Sequence, residues 1–270
     1  MFTDVSPAGM ALAIEADVQD ASVGMAKSPL CEINEAPDAT WILTGMPNHD
    51  YNKVVRSELE PENADARVEE ILAYYSSKNV PMSWWLGPSS LPVDLGTRLE
   101  VHGMIRAEDS VGMALDIHEV NEDHTSPPKL VVERIRDDAS LAEFVHVSTM
   151  NFNLPNAMEP RIHRVTINAG YGPSDRFSHY LGLLDGEPVA TATGYKGERV
   201  VSIQNITTSP QARRRGVGTA VTMAPILEAR EIGYRIASLQ ASKMGYPMYE
   251  KMGFREYMRF KVYVREIQSP

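Results

Sequence analysis

Arg213-Arg-Arg-Gly-Val-Gly218 is the stretch of this 270-residue chain whose residue types and spacing bear most directly on chemistry. It follows an apolar run, Val200-Val-Ser-Ile-Gln-Asn-Ile206, that reads as a strand. It opens a segment with Val217, Ala220, Val221, Ala224 and Leu227 at helical spacing. A glycine-bearing turn between strand and helix leaves several backbone N–H groups aimed at one spot. Those donors, the positive end of the helix and the arginines Arg213, Arg214 and Arg215 together make a seat for a diphosphate. The Gly-x-x-x-x-Gly-Lys-Ser/Thr loop of nucleoside-triphosphate enzymes is absent, as is the third glycine of a dinucleotide fingerprint. Downstream, Tyr249-Glu-Lys-Met-Gly-Phe254 follows a second predicted strand, Arg235–Gln240.

The two motifs, in this order and separation, resemble the GNAT superfamily of acyl-coenzyme A-dependent N-acyltransferases, over roughly residues 128–267. The resemblance implies an α/β fold with a mixed sheet, in which coenzyme A lies where two neighbouring strands part. It also implies acetyl-coenzyme A as cosubstrate. By that resemblance the pantetheine arm adds to Ile206, Thr207 and Thr208 like an extra strand, and an N–H near Asn205–Ile206 polarises the thioester carbonyl. The diphosphate falls on Arg214, Arg215, Gly216, Val217, Gly218, Thr219 and Ala220, with Arg213 opening the loop. Tyr249 becomes the proton donor to the departing sulfur. Where the family often carries an asparagine that helps hold the cofactor, this chain has Ser242. Where it often carries a glutamate base, the matching slots hold Gln204 and Ala237. Either the amine arrives neutral, or water relays its proton to an acid elsewhere, with Glu159, His163 and His179 as the candidates.

Charge divides the chain. Residues 1–127 hold 7 Lys and Arg against 22 Asp and Glu, a formal −15, whereas the remainder holds 19 against 14, or +5. The basic half suits an anionic cosubstrate. The acidic half argues against nucleic acid as partner, and either keeps the chain soluble or concentrates a cationic amine. The single Cys31 excludes a disulfide within the chain and accords with a reducing, cytoplasmic location. The start, Met-Phe-Thr-Asp-Val, lacks the features of a secretory signal, and no apolar run reaches membrane-span length. The seven scattered histidines form no metal-ligand spacing, so no metal is expected.

The elements that would position these residues follow from periodicity and turn chemistry. Glu122–Pro128 reads as a linker, dividing a domain at 1–127 from one at 128–270. In the second, Lys129–Arg136 predicts a strand, Asp137–Ser140 a helix start with Ser140-x-x-Glu143 at capping-box spacing, and Asp185-Gly186 a hairpin between Tyr180–Leu184 and Pro188–Thr193. Pro225 should kink the helix after the loop or shift its boundary, and Glu256–Glu266 predicts a closing strand. In the first, helices are expected at Ala8–Ala26, Pro61–Ser77 and Leu91–His102, and strands at Thr40–Gly45, Asn52–Leu59, Pro81–Leu86 and Val111–Val120. That order resembles a degenerate GNAT copy without the loop, giving a tandem architecture that is a monomeric pseudo-dimer or a homodimer. Of Trp84 and Trp85, adjacent on a strand, one is expected in the core and the other facing a cleft, where with Gln204 and Asn205 it could meet substrate. The expected reaction is direct acetyl transfer to a primary amine of a small molecule. A protein lysine or N-terminal amine acceptor, or a binding module without turnover, are the alternatives.

Overall fold

The computed structural model describes residues 5–267. In chain order the first elements are α1 (Pro7–Ala26), β1 (Glu32–Glu35), β2 (Ala39–Leu43), β3 (Asn52–Ser57), α2 (Ala64–Ser77), β4 (Met82–Leu86), α3 (Leu95–Val101), β5 (Ile105–Arg106) and β6 (Ser110–Asp116). Then come β7 (Leu130–Arg134), α4 (Asp138–Asn151), α5 (Glu159–Ala169), β8 (Phe177–Leu184), β9 (Glu187–Lys196) and β10 (Val201–Thr208). The chain closes with α6 (Val217–Glu231), β11 (Ile236–Ala241), α7 (Tyr246–Met252) and β12 (Arg255–Arg265). It divides into two compact α/β units, one comprising residues up to Asp17 with Gly112–Tyr257, the other Val18–Val111 with residues from Met258. Residues 112–127 therefore group with the unit that carries the glycine loop.

The acidic unit orders its strands β1-β2-β3-β4-β12, with β5 also on β12. Strands β3 and β4 pair in parallel (Lys53↔Ser83, Val54↔Trp84) across the α2 crossover. Its core closes one face of this sheet with Val68, Ile71, Leu72 and Tyr75 of α2, Leu95 and Leu99 of α3, and Trp84. The helical spacing of the α2 residues is what the sequence displayed. The helix begins at Ala64, three residues after Pro61, because Pro61–Asn63 forms a turn instead of a first helical turn.

The loop unit orders its strands β7-β8-β9-β10-β11-β6. The β8–β9 hairpin turns on Asp185 (φ 55°) and Gly186 (φ 85°), both left-handed as the Asp-Gly pair requires. Helix α4 is capped by Asp137, whose carboxylate accepts the Ser140 N–H, so the cap lies three residues before the Ser140 that the capping-box spacing proposed. One face of β8 and β9 meets α4. The other meets α6, with Ala190, Ala192, Val217 and Val221 in one cluster.

Helix α6 runs unbroken through Pro225, against the expectation of a shifted boundary. Packing is the reason: the buried proline ring lies directly over Gly194 of β9, where a Cβ would come within 2.9 Å of the Pro225 Cβ. The lost helical hydrogen bond is offset by this close seating of helix on sheet. Gly194→Ala should therefore lower stability by about 1–3 kcal/mol through overpacking, read as a fall in urea midpoint. A midpoint equal to wild type would refute the close seating.

Candidate functional site

Strands β10 and β11 hydrogen-bond in parallel only from Val201–Ile203 to Ala237–Leu239, although β10 continues to Thr208 and β11 to Ala241. Beyond Ile203 the two part. The change shows in burial: Val201, Ser202 and Ile203 are enclosed, whereas Gln204, Asn205, Ile206 and Thr208 are half-buried. On its other side β10 stays paired to β9, but the register slips between Gln204 (opposite Thr193) and Thr207 (opposite Thr191). The extra residue forms a β-bulge with Asn205 at φ 49°. Thr191 Oγ1 donates to Asn205 O at 2.7 Å, and Asn205 Nδ2 donates to Thr193 Oγ1 at 3.4 Å.

The glycine loop follows the end of β10. Arg214 (φ 58°) and Gly216 (φ 85°) are both left-handed. The N–H groups of Arg214, Arg215, Gly216, Val217, Gly218 and Thr219 find no backbone acceptor among the described residues, and Ala220 is the first to donate, to Gly216 O. Such a run of donors without backbone acceptors at a helix start could hold an anion. Arg213 is spent on structure, its Nε donating to Thr208 O at 2.9 Å, whereas Arg214 and Arg215 are exposed and form no ion pair among the described residues. Val217 points into the core.

Gly216 has a second reason to be glycine: a Cβ there would stand 2.0 Å from the Thr125 carbonyl oxygen. The protein's own backbone, besides any phosphate, fills that space. A Cβ on Gly218 would stand 3.1 Å from Met248 Sδ and 3.3 Å from Thr208 Oγ1, so the first turn of α6 sits tightly between α7 and the end of β10.

Tyr249 lies on α7, 5% exposed, its ring edge-on to Phe254. Burial pushes its phenol far above the ordinary value, so the proton stays on at neutral pH. The hydroxyl has no partner among the described residues, leaving a donor available. Ser242 caps the turn into α7, its Oγ accepting the Gly245 N–H at 3.2 Å. On β11 the Gln240 side-chain nitrogen is buried without a partner, beyond the point where the strands part. An unpaired strand flank, an orphaned buried amide and a run of free loop N–H groups are what a phosphate-tailed, amide-bearing chain such as coenzyme A would satisfy. The residues fit that group.

Among the proposed proton acceptors, His179 is enclosed on β8 between Phe144 and Phe177, with Nδ1 2.8 Å from Thr193 Oγ1 and Nε2 buried without a partner. Burial, with the Arg134 charge as a lesser cause, lowers its pKa to about 3, so it takes no proton near neutrality. Glu159 is engaged by His146 at 3.1 Å, and His163 lies 3.3 Å from Asp138. Gln204 is half-buried and donates to Ser202. In the acidic unit Trp84 is wholly enclosed and bonded to Ser57 Oγ, so it offers a ligand no surface. Trp85, half-buried, lies beside Phe260 with Lys53 Nζ 4.9 Å from its ring centroid.

Three residues of the loop unit escaped the sequence reading. Thr191 and Asn151 belong to a hydrogen-bonded chain at the bulge, and Asp17 of α1 accepts from Ser238 of β11 at 2.9 Å. A signal existed for Thr191: Ala190-Thr-Ala-Thr193 alternates, placing small polar groups on one face of the buried middle of β9. Asp17 gave none, because its neighbour on β11 is 221 positions away. Among the described residues no cluster could hold a metal, and no helix is long and apolar enough to cross a membrane.

The sequence model of the acetyltransferase (GNAT) family matches residues 142–254. Among solved structures, a GCN5-related N-acetyltransferase from Kribbella flavida superposes with TM-score 0.71 at 17% identity, covering 94% of each chain. One from Sphaerobacter thermophilus gives 0.64 at 15%, covering 100% of this chain and 98% of the other. A tandem GNAT protein from the clavulanic acid biosynthesis pathway gives 0.57 at 15%, covering 99% and 97%. At these identities the likeness is one of fold.

The buried neutral His179 makes a pH prediction. Its folded pKa (about 3) lies below the unfolded value near 6.5, so between those pH values the unfolded chain binds the extra proton. Stability from this site is complete above about pH 6.5 and falls by up to about 1.4 kcal/mol per pH unit below it. Urea midpoints at pH 7, 5.5 and 4.5 should fall more steeply for wild type than for His179→Asn. Parallel curves would contradict the assignment.

Proposed function

We propose that this chain, whose residues 142–254 match the GNAT acetyltransferase family, is an acetyl-coenzyme A-dependent acetyltransferase that transfers the acetyl group directly to a primary amine of a small molecule. The observation that carries the reading is the parted flank of β10 beside the glycine loop, which would give pantetheine and diphosphate one continuous seat. Ile206, Thr207 and Thr208 would take the pantetheine amides, and the N–H groups of residues 214–219 the diphosphate. The exposed guanidinium groups of Arg214 and Arg215 would add charge.

The amine nitrogen attacks the thioester carbon while the N–H at Asn205–Ile206 holds the developing oxyanion. The C–S bond then breaks, Tyr249 gives its proton to the sulfur, and the phenolate takes a proton back from water. The nitrogen's surplus proton passes to water, because neither Gln204 nor Ala237 can accept it and His179 is too weak a base. The amine must therefore arrive unprotonated. This accounts for the missing strand carboxylate, and the transfer is read as direct.

The acidic unit reads as a second, degenerate copy of the same plan. Its β3-α2-β4 crossover repeats the parallel pair and connecting helix of β10-α6-β11. Where the loop unit has its arginines and glycines, this crossover has Glu58-Leu-Glu-Pro-Glu62, which would repel a phosphate.

The test is thiol release from acetyl-coenzyme A over a panel of polyamines, aminoglycosides, amino acids and a lysine peptide. Turnover with a small amine, with kcat/KM rising tenfold per pH unit below the amine's pKa, is expected. Turnover on the peptide alone would overturn the acceptor class. Tyr249→Phe should cut kcat by tens-fold or more, about 2 kcal/mol, while the acetyl-coenzyme A-induced rise in Tm persists. Full activity in that variant would exclude the proton-donor role.

A further inference from the structure

Resting on the acetyl-transfer reading, we propose that Thr191 is a positioning residue that aims the oxyanion-holding N–H, and that a one-way hydrogen-bond chain from α4 sets its hydroxyl. The chain has a fixed direction. The Thr191 hydroxyl spends its single proton on Asn205 O at 2.7 Å. At its 3.1 Å contact with Thr207 Oγ1 it can then only accept, so Thr207 donates. Thr207 Oγ1 in turn accepts from Asn151 Nδ2 at 2.9 Å, and Asn151 Oδ1 accepts from Ser209 Oγ at 3.1 Å. Each donor is used once, and the line ends on the carbonyl of the left-handed bulge residue.

That carbonyl belongs to the same peptide as the Ile206 N–H. In a trans peptide the C=O and N–H point in opposite directions. Holding Asn205 O toward β9 therefore turns the Ile206 N–H away from β9, toward the flank that β11 leaves unpaired. The bulge alone does not fix this plane, since a left-handed residue is adjacent to other permitted peptide orientations. A second strand's hydroxyl, itself locked in one rotamer by Thr207, does. Thr191 and Thr207 are both buried, Thr191 completely, so water does not compete for these bonds. Asn151 is the last residue of α4, which ties the orientation of the peptide to the seating of that helix.

Thr191→Val keeps the volume and removes the hydroxyl. Turnover should fall about ten- to hundredfold, the scale of a weakened oxyanion donor, with KM for acetyl-coenzyme A and the cosubstrate-induced Tm rise within twofold of wild type. Thr191→Ser should restore most of kcat. Asn151→Ala, two links away, should lower kcat about threefold, and the double variant should be no slower than Thr191→Val alone, because both cut one line. A Thr191→Val enzyme within twofold of wild type, or losses that multiply in the double variant, would overturn the proposal. Should Thr191→Val not fold, Asn151→Ala and Ser209→Ala decide: lowered kcat at unchanged KM supports the chain, and unchanged kcat overturns it. If wild type itself releases no thiol, the transfer reading fails instead. Crystals of Thr191→Val then judge the positioning alone: a rotated Asn205–Ile206 peptide supports it and an unrotated one overturns it.

Discussion

Parallel strands β10 and β11 share backbone hydrogen bonds through Ile203 and Leu239 and then separate, each continuing with one flank unpaired. Unpaired backbone groups inside a folded protein are costly unless something satisfies them. Much of the loop unit can be understood as arranging that cost so that a ligand relieves it. Gly194 lets α6 sit directly on the sheet, which brings the start of that helix to the end of β10. Gly218 lets the same turn wedge between Met248 and Thr208. The bulge at Asn205 gives β10 an extra residue just where its partner is lost.

Electrostatics at the candidate site set a neutral bulge beside a cationic loop. Arg214 and Arg215 stand exposed at the loop, while the bulge is surrounded by threonine hydroxyls, amides and an uncharged imidazole. Burial keeps the proton on the Tyr249 phenol at neutral pH, so it offers a hydrogen-bond donor and not a base. A centre without a permanent carboxylate suits an acceptor that has already lost its proton.

How much of this could be read from residues alone depended on distance along the chain. The Asp185-Gly186 hairpin, the α2 stripe of Val68, Ile71, Leu72 and Tyr75, and the turn from Arg213 to Gly218 were legible because each is set by neighbours within a few residues. Helix α5 and the short strands β1 and β5 went unseen: Pro160 and the scarcity of apolar residues hide the first, and the others are too short to show a period. Pro225 shifted no helix boundary because the glycine that accommodates its ring lies on another strand. Gly216 reads in sequence only as part of the glycine-bearing turn, yet Thr125 also demands a glycine there, a contact no local pattern reveals. Thr191, Asn151 and Asp17 act through partners that only the folded sheet brings together.

The account stands on main-chain amides of residues 214–219 gripping the diphosphate of coenzyme A. Titrating the isotope-labelled protein with coenzyme A and following backbone amide resonances tests this most directly. The largest shifts should fall on Arg214 through Thr219 and on Ile206 through Thr208, saturating together. Saturable shifts confined to other residues, with these amides unmoved, would contradict it.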